Sequence, residues 1–160
     1  MNMKNMKAAA GAQTQELEMT ITRLLAVPQK LAFSAWTEPQ HLKRWENAPK
    51  GFTVSTHEVD FRVGGAYRIC MRSPEGVDHW LQGEYREIVK PERLVMTHTW
   101  LDAQGKPGKE TLLTITFSDL GGKTRFTLHQ TGFSSAGSRE GHRDGWNSSI
   151  DRFTEYLRTL

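Results

Sequence analysis

Apolar and polar residues alternate along most of this chain, and the alternation gives way to a helical period in only three places. Over Leu17–Ala26, Leu17, Met19, Ile21 and Arg23 point one way and Glu18, Thr20, Thr22 and Leu24 the other, which predicts a strand. Pro28 suits a helix start, and Leu31, Ala32, Ala35 and Trp36 follow with helical spacing. Thr37-Glu-Pro-Gln40 matches a capping box, with Thr37 as cap, so a second short helix is expected from Glu38 to about Trp45. From Phe52 to Gln130 the period is two again, broken by turns at Gly64-Gly65, Ser73–Gly76, Lys90–Glu92, Asp102–Lys109 and Asp119–Gly122. Connections this short join antiparallel hairpins. The last segment returns to helical spacing. Its stripe is Trp146, Ile150, Phe153, Leu157 and Leu160, flanked by Gly145 and Ser149, with Ser138 expected as cap.

The strand run sorts into two faces. Tyr67, Ile69, Met71, Leu94, Met96, His98, Trp100, Leu113, Ile115, Phe117, Phe126 and Leu128 make the expected buried face. Arg68, Cys70, Arg72, Thr97, Thr99, Thr114, Thr116, Arg125 and Thr127 make the wet one. A sheet with one apolar face followed by a helix with one apolar stripe predicts an α+β fold in which the two pack together. Residues 1–15 have no period and read as a disordered tail, leaving 16–160 as one domain.

Composition narrows the function classes. A domain of this length buries about 68–70% of its unfolded surface, so folding requires neither metal nor disulfide. Cys70 is the single cysteine, which fits a reducing, cytoplasmic setting. No apolar run reaches the roughly 18 residues of a membrane span. The net charge is +3, but Lys4 and Lys7 lie in the tail, and from Glu16 onward 19 Lys and Arg face 18 Asp and Glu. Arg62, Arg68, Arg72, Arg86, Arg93 and Arg125 are dispersed rather than clustered, which argues against nucleic acid as a partner.

Five stretches carry a resemblance: Phe33-Ser-Ala-Trp-Thr-Glu-Pro-Gln-His-Leu-Lys-Arg-Trp45, Asp60-Phe-Arg-Val-Gly-Gly-Ala-Tyr67, Gly83-Glu-Tyr-Arg-Glu-Ile88, Pro91-Glu-Arg-Leu-Val95 and Gly145-Trp-Asn-Ser-Ser-Ile150. In this order they resemble the START/birch-pollen-allergen (SRPBCC) superfamily. More closely, they resemble the bacterial family named after the C-terminal domain of the activator of the ninety-kilodalton heat-shock-protein ATPase. The resemblance implies a helix-grip fold: a curved antiparallel sheet wrapped around a long C-terminal helix, with two short helices after the first strand and a cavity between sheet and helix. It implies no fixed catalytic set. The sequence departs from the family pattern at Glu46, where a second Trp is common, and at Gln130, where a His is common.

Candidate chemistry is sparse. The six histidines show no metal-ligand spacing, and no cofactor is expected. His142-Arg-Asp144 stands without any other kinase element. Gly132-Phe-Ser-Ser-Ala136 lacks the final Gly of a nucleophile elbow, and the Asn147 sequon falls in a predicted helix. Cys70, between Arg68 and Arg72, reads as an unremarkable thiol. The simplest hairpin registers place Tyr67 opposite Gly83, Gly83 opposite His98, His98 opposite Leu113 and Leu113 opposite Leu128. The next row reads Ile69, Leu81, Trp100, Thr111 and Gln130. Gly83 then leaves a gap between a phenol and an imidazole. Either the gap is a ligand pocket or the C-terminal helix fills it and His98 is a core histidine.

With the implied cavity, the expected lining is Tyr67, Ile69, Leu81, Gly83, Tyr85, Met96, His98, Trp100, Leu113, Leu128, Gln130, Trp146 and Ile150. The leading expectation is a carrier or sensor of a small hydrophobic molecule, with a stress-related role implied by the family name. A cyclase- or aromatase-like enzyme is the alternative, with His98, Tyr67, Tyr85 and Glu87 as candidate acid–base groups. A chaperone-regulating protein is the third, implied by the family name, although the eukaryotic co-chaperone carries an N-terminal domain where this chain has its tail.

Overall fold

The computed structural model describes residues 17–160; the expected tail at 1–15 lies outside the described residues. Ten elements follow in order: β1 (Glu18–Leu25), α1 (Gln29–Thr37), α2 (Pro39–Trp45), β2 (Thr53–Val59), β3 (Ala66–Arg72), β4 (Asp78–Val89), β5 (Arg93–Trp100), β6 (Thr111–Asp119), β7 (Thr124–Thr131) and α3 (Ala136–Leu157). The seven strands form one antiparallel sheet in the order β1-β7-β6-β5-β4-β3-β2. The first strand thus returns beside the last, and α1 and α2 bridge the two edges. This is the α+β helix-grip architecture.

Local chemistry explains the helix ends, and two expected caps move. Glu38 is extended (ψ 136°) because a residue before proline is disfavoured in helical conformation. It separates α1 from α2, and Pro39 occupies the first turn of α2. The Thr37 capping box does not form; the Thr37 hydroxyl instead donates to Phe33 O at 2.8 Å. The cap of α3 is Ser135 rather than Ser138, and its Oγ accepts from the Ser138 amide at 3.0 Å. Leu160 falls beyond the helix and is exposed.

The buried face is the expected one, with Ile69 and Trp100 half-buried and the other ten positions buried. Ile150, Phe153 and Leu157 of α3 close it. Trp36 is the hub, with ring centroids 5.0 Å from Phe126, 5.1 Å from both Trp45 and Phe153, and 6.3 Å from Trp146. Three positions of the expected wet face are corrections: Thr97 and Thr99 are buried, and Cys70 is 1% exposed. Trp80 stands directly across from Cys70 and shields it, with the Arg68 guanidinium 4.0 Å over the indole ring.

Two registers differ from the simplest hairpins. Gly121 and Gly122 both have positive φ, and the Leu120 amide donates to Lys123 O at 2.9 Å. That is a two-residue turn of the primed kind favoured in hairpins. It sets Leu113 opposite Gln130 and Ile115 opposite Leu128. At the other end of β6, the Asp102 carboxylate accepts from the Gln104 and Lys106 amides, both at 2.9 Å, tightening that turn. His98 therefore faces Thr111, and Met96 faces Leu113. Each slip is two residues, so every side chain keeps its face.

Candidate functional site

The gap expected at Gly83 is filled. Tyr67 is opposite Gly83, and its phenol crosses the glycine to donate to Thr97 O on β5 at 2.5 Å. A Cβ at position 83 would lie 2.0 Å from Thr97 O and 2.5 Å from the Tyr67 ring. Gly83 is there because backbone and phenol approach it, a common reason for glycine inside a strand. Burial drives the Tyr67 phenol far above its ordinary pKa, and Tyr85 is pushed up to about 12 by the same cause. Both stay neutral.

Open space remains elsewhere between the sheet and the helices. A narrow inner cavity of about 80 Å³ sits between sheet and helices. Tyr67, Ile69, Leu81, Tyr85, Met96, His98, Leu113 and Trp146 of the expected lining all border it. An open groove of about 440 Å³ runs between α3, the 47–52 loop and the β3–β5 end of the sheet. Of the expected residues, His98, Trp100 and Trp146 line it. A second cleft of about 640 Å³ opens between α1, α2 and β2, with Glu38, Lys43, Glu46 and Lys90 on its walls. Asn47, Met71, His98 and Trp146 border both groove and inner cavity and form the neck between them.

Gly83, Leu128, Gln130 and Ile150 border neither groove nor cavity. Leu128 and Ile150 are fully buried core. Gln130 is fully buried as well, but it organises the polar floor. Its Oε1 accepts from Trp146 Nε1 at 2.8 Å, and its Nε2 donates to Thr111 Oγ1 at 2.8 Å. Thr111 Oγ1 in turn donates to His98 O at 2.9 Å. Gln130 Nε2 also lies 3.5 Å from His98 Nδ1. At the rim, Trp100 Nε1 donates to His142 Nε2 at 3.0 Å, so His142 carries its proton on Nδ1, which donates to Ser138 O at 2.7 Å. Burial, with His142 beside it, pushes the His98 pKa down to about 3, so its imidazole is neutral at ordinary pH.

The sequence reading missed one whole wall. Asn47, Pro49 and Phe52 come from the loop after α2, and Ser138, Gly141, Gly145 and Ser149 from α3. The α3 residues are spaced 3, 4, 4, the period of one helix face, and are all small; that signal was available. Gly141 and Gly145 leave space. A Cβ at 141 would meet nothing within 4 Å, and at 145 only Pro49 Cγ at 3.9 Å. The loop has no sequence period. Arg152 holds it, donating to Ala48 O, Pro49 O and Phe52 O at 3.0–3.1 Å. Glu87, a candidate acid, is outside: a bulge between Tyr85 and Glu87 turns it away, pairs it with Arg93 at 3.6 Å and turns Ile88 inward.

Among the described residues no group of three or more His, Cys, Asp or Glu could hold a metal, and no helix is long and apolar enough to cross a membrane. Arg62, Arg72, Arg86 and Arg93 each have a carboxylate within 4 Å.

Comparison with known proteins agrees with this architecture. No curated protein is matched. Protein CV1439 from Chromobacterium violaceum is 28% identical, with a TM-score of 0.79 over 88% of this chain and 96% of that one. Protein NE0264 from Nitrosomonas europaea is 29% identical, with a TM-score of 0.72 over 90% and 96%. The AHSA1 protein of Silicibacter pomeroyi, at 23% identity, shares the fold with a TM-score of 0.81 over 89% and 98%. The model for activator of Hsp90 ATPase homolog 1-like protein matches residues 26–158. With that match spanning nearly all of the described residues, the chain belongs to the activator of Hsp90 ATPase homolog 1-like family.

Proposed function

We propose that this protein binds a small, mostly apolar molecule in the groove between α3 and the sheet, as a carrier or sensor. The observation that carries the reading is the groove itself. About 440 Å³ is walled by Phe52, Met71, Trp100 and Trp146, with the neutral His98 imidazole, His79, His142, Asn47 and two serines as its polar groups. Mostly apolar walls with few placed polar groups are the usual make-up of a small-molecule site. Two glycines, Gly141 and Gly145, stand in the middle of a 22-residue helix on the groove side. Each costs about 1 kcal/mol of helix stability relative to alanine, and an open groove is what that cost maintains.

Gly145→Leu fills the groove from the helix side without touching the core, which Gly83→Leu could not do. Nile red titrated into wild type is expected to gain fluorescence saturably. Gly145→Leu is expected to weaken that binding by about tenfold or more while the circular dichroism spectrum stays unchanged. Equal binding by wild type and Gly145→Leu, or no uptake by wild type, would overturn the reading. Native mass spectrometry of protein purified from its own host then weighs the retained molecule.

A further inference from the structure

The sheet ends on an open edge at β2, the last strand of the order, which pairs only with β3. The main-chain groups of successive strand residues face opposite sides. The Asp60 amide donates to Ala66 O at 3.0 Å, toward β3. His57 and Val59 therefore turn their N–H and C=O groups away from β3. The bulge between Val54 and Thr56 shifts this alternation, so the Val54 amide also faces outward. There Glu46, the residue that ends α2, accepts from it with Oε2 at 3.0 Å. The bulge and this carboxylate blunt the first half of the edge, as natural sheets commonly do. The second half is left open: among the described residues, no main-chain partner meets the outward groups of His57 and Val59.

Space lies beside those open groups. The cleft of about 640 Å³ has Val54, His57 and Val59 along one wall and Phe33 and Leu42 of the helices along the other. His57 and Val59 stand opposite Ile69 and Tyr67, on the concave face of the sheet. Residues directly opposite one another in an antiparallel pair share a face. Side chains of an added strand across from 57 and 59 would therefore point toward Phe33 and Leu42, which suits apolar residues. Glu58, between them, is exposed on the convex face. Arg68 is directly across from Glu58 on β3, but its guanidinium lies over the Trp80 ring rather than on the carboxylate.

We propose that the edge of β2 at residues 57–59 receives an extended peptide of another protein as an antiparallel strand, with a Lys or Arg between two apolar residues. Each apolar residue exchanges a pair of main-chain hydrogen bonds, one with His57 and the other with Val59. Main-chain bonds of this kind supply affinity when a strand is added to a sheet edge, and alternate side chains supply specificity. The basic residue falls opposite Glu58 and gives it the cation that Arg68 does not. A second copy of this chain fits poorly. Pairing 57 with 59 of the other copy would set Glu58 directly against Glu58, and like charges opposite one another are destabilising. The edge is also separate from the groove, which shares no lining residue with this cleft.

The test uses a fluorescein-labelled peptide, Ser-Thr-Val-Lys-Val-Thr-Ser with blocked ends, titrated into the full chain and followed by anisotropy. Saturable binding is expected, with the His57 and Val59 amides exchanging about tenfold more slowly or less at saturation. N-methylation of both valine amides removes the donors that face β2 and should abolish binding. N-methylation of the lysine amide, which faces away, should leave affinity within about twofold. Val59→Pro removes an outward N–H and no bond to β3, a position where edge strands accept proline. It should weaken the peptide by about tenfold. Glu58→Lys should reverse the preference for the lysine peptide over its glutamate counterpart. No binding at millimolar peptide, equal loss from the two N-methylation patterns, or an unreversed preference in Glu58→Lys would overturn the proposal. So would a dimer in sedimentation whose His57 and Val59 amides are protected without peptide, because the edge would then belong to a second copy.

Discussion

Glycine has opposite meanings at two positions of this protein, and substitution separates them. At Gly83 a Cβ collides with the Thr97 carbonyl at 2.0 Å, a backbone atom that cannot step aside. Gly83→Ala is therefore expected to lose more than about 2 kcal/mol in urea unfolding, at the upper end of overpacking costs. At Gly141 nothing stands within 4 Å. Gly141→Ala is expected to gain up to about 1 kcal/mol in the same experiment, the difference in helix propensity. His98 carries a pH signature. Its pKa near 3 in the folded chain lies below its ordinary value of about 6.5. Between those values the unfolded chain holds a proton that the folded chain does not. The stability that a neutral His98 contributes is present above about pH 6.5 and is lost as pH falls toward 3, by up to about 1.4 kcal/mol per pH unit. His98→Leu lowers stability at neutral pH but should flatten that slope, read from urea midpoints at several pH values.

The elements are held to one another unevenly, and α3 is anchored by its C-terminal half. Phe153 is fully buried, with its ring 4.7 Å from Trp45 and 5.1 Å from Trp36. Phe153→Ala is expected to cost about 3–5 kcal/mol, as for other buried aromatics. Trp146, half-buried on the groove wall, should cost less. Arg152 is the tether between α3 and the loop after α2. Arg152→Met keeps the apolar stem and removes all three bonds, with an expected loss of about 2 kcal/mol. Because Pro49 and Phe52 line the groove, faster amide exchange over residues 48–52 and weaker Nile red binding should accompany it. Either effect without the other would mean that the loop does not shape the groove.

For the molecule as a whole, a ligand that binds only the folded state stabilises it by mass action. Nile red at about 100 times its dissociation constant should add about 2.7 kcal/mol to wild type and far less to Gly145→Leu. That comparison reads the groove through global stability rather than through the dye. The division of the molecule also explains what was legible from the chain. Side-chain alternation determined the faces, so Tyr67, Met96, His98 and Leu113 were assigned inward and are inward. A two-residue error in register leaves that parity intact, which is why the faces survived while His98 acquired Thr111 and Leu113 acquired Gln130 as neighbours. The sequence by itself therefore determined the elements, the two faces of the sheet and the stripe on α3, because these depend on periods of two and 3.6 within one segment. Only the tertiary structure decided that Tyr67 plugs Gly83, that Cys70 is shielded, that a bulge turns Glu87 out, and that Asn47 and His98 border one neck. Those outcomes depend on turn geometry and on contacts between segments far apart in the chain, which no local period encodes.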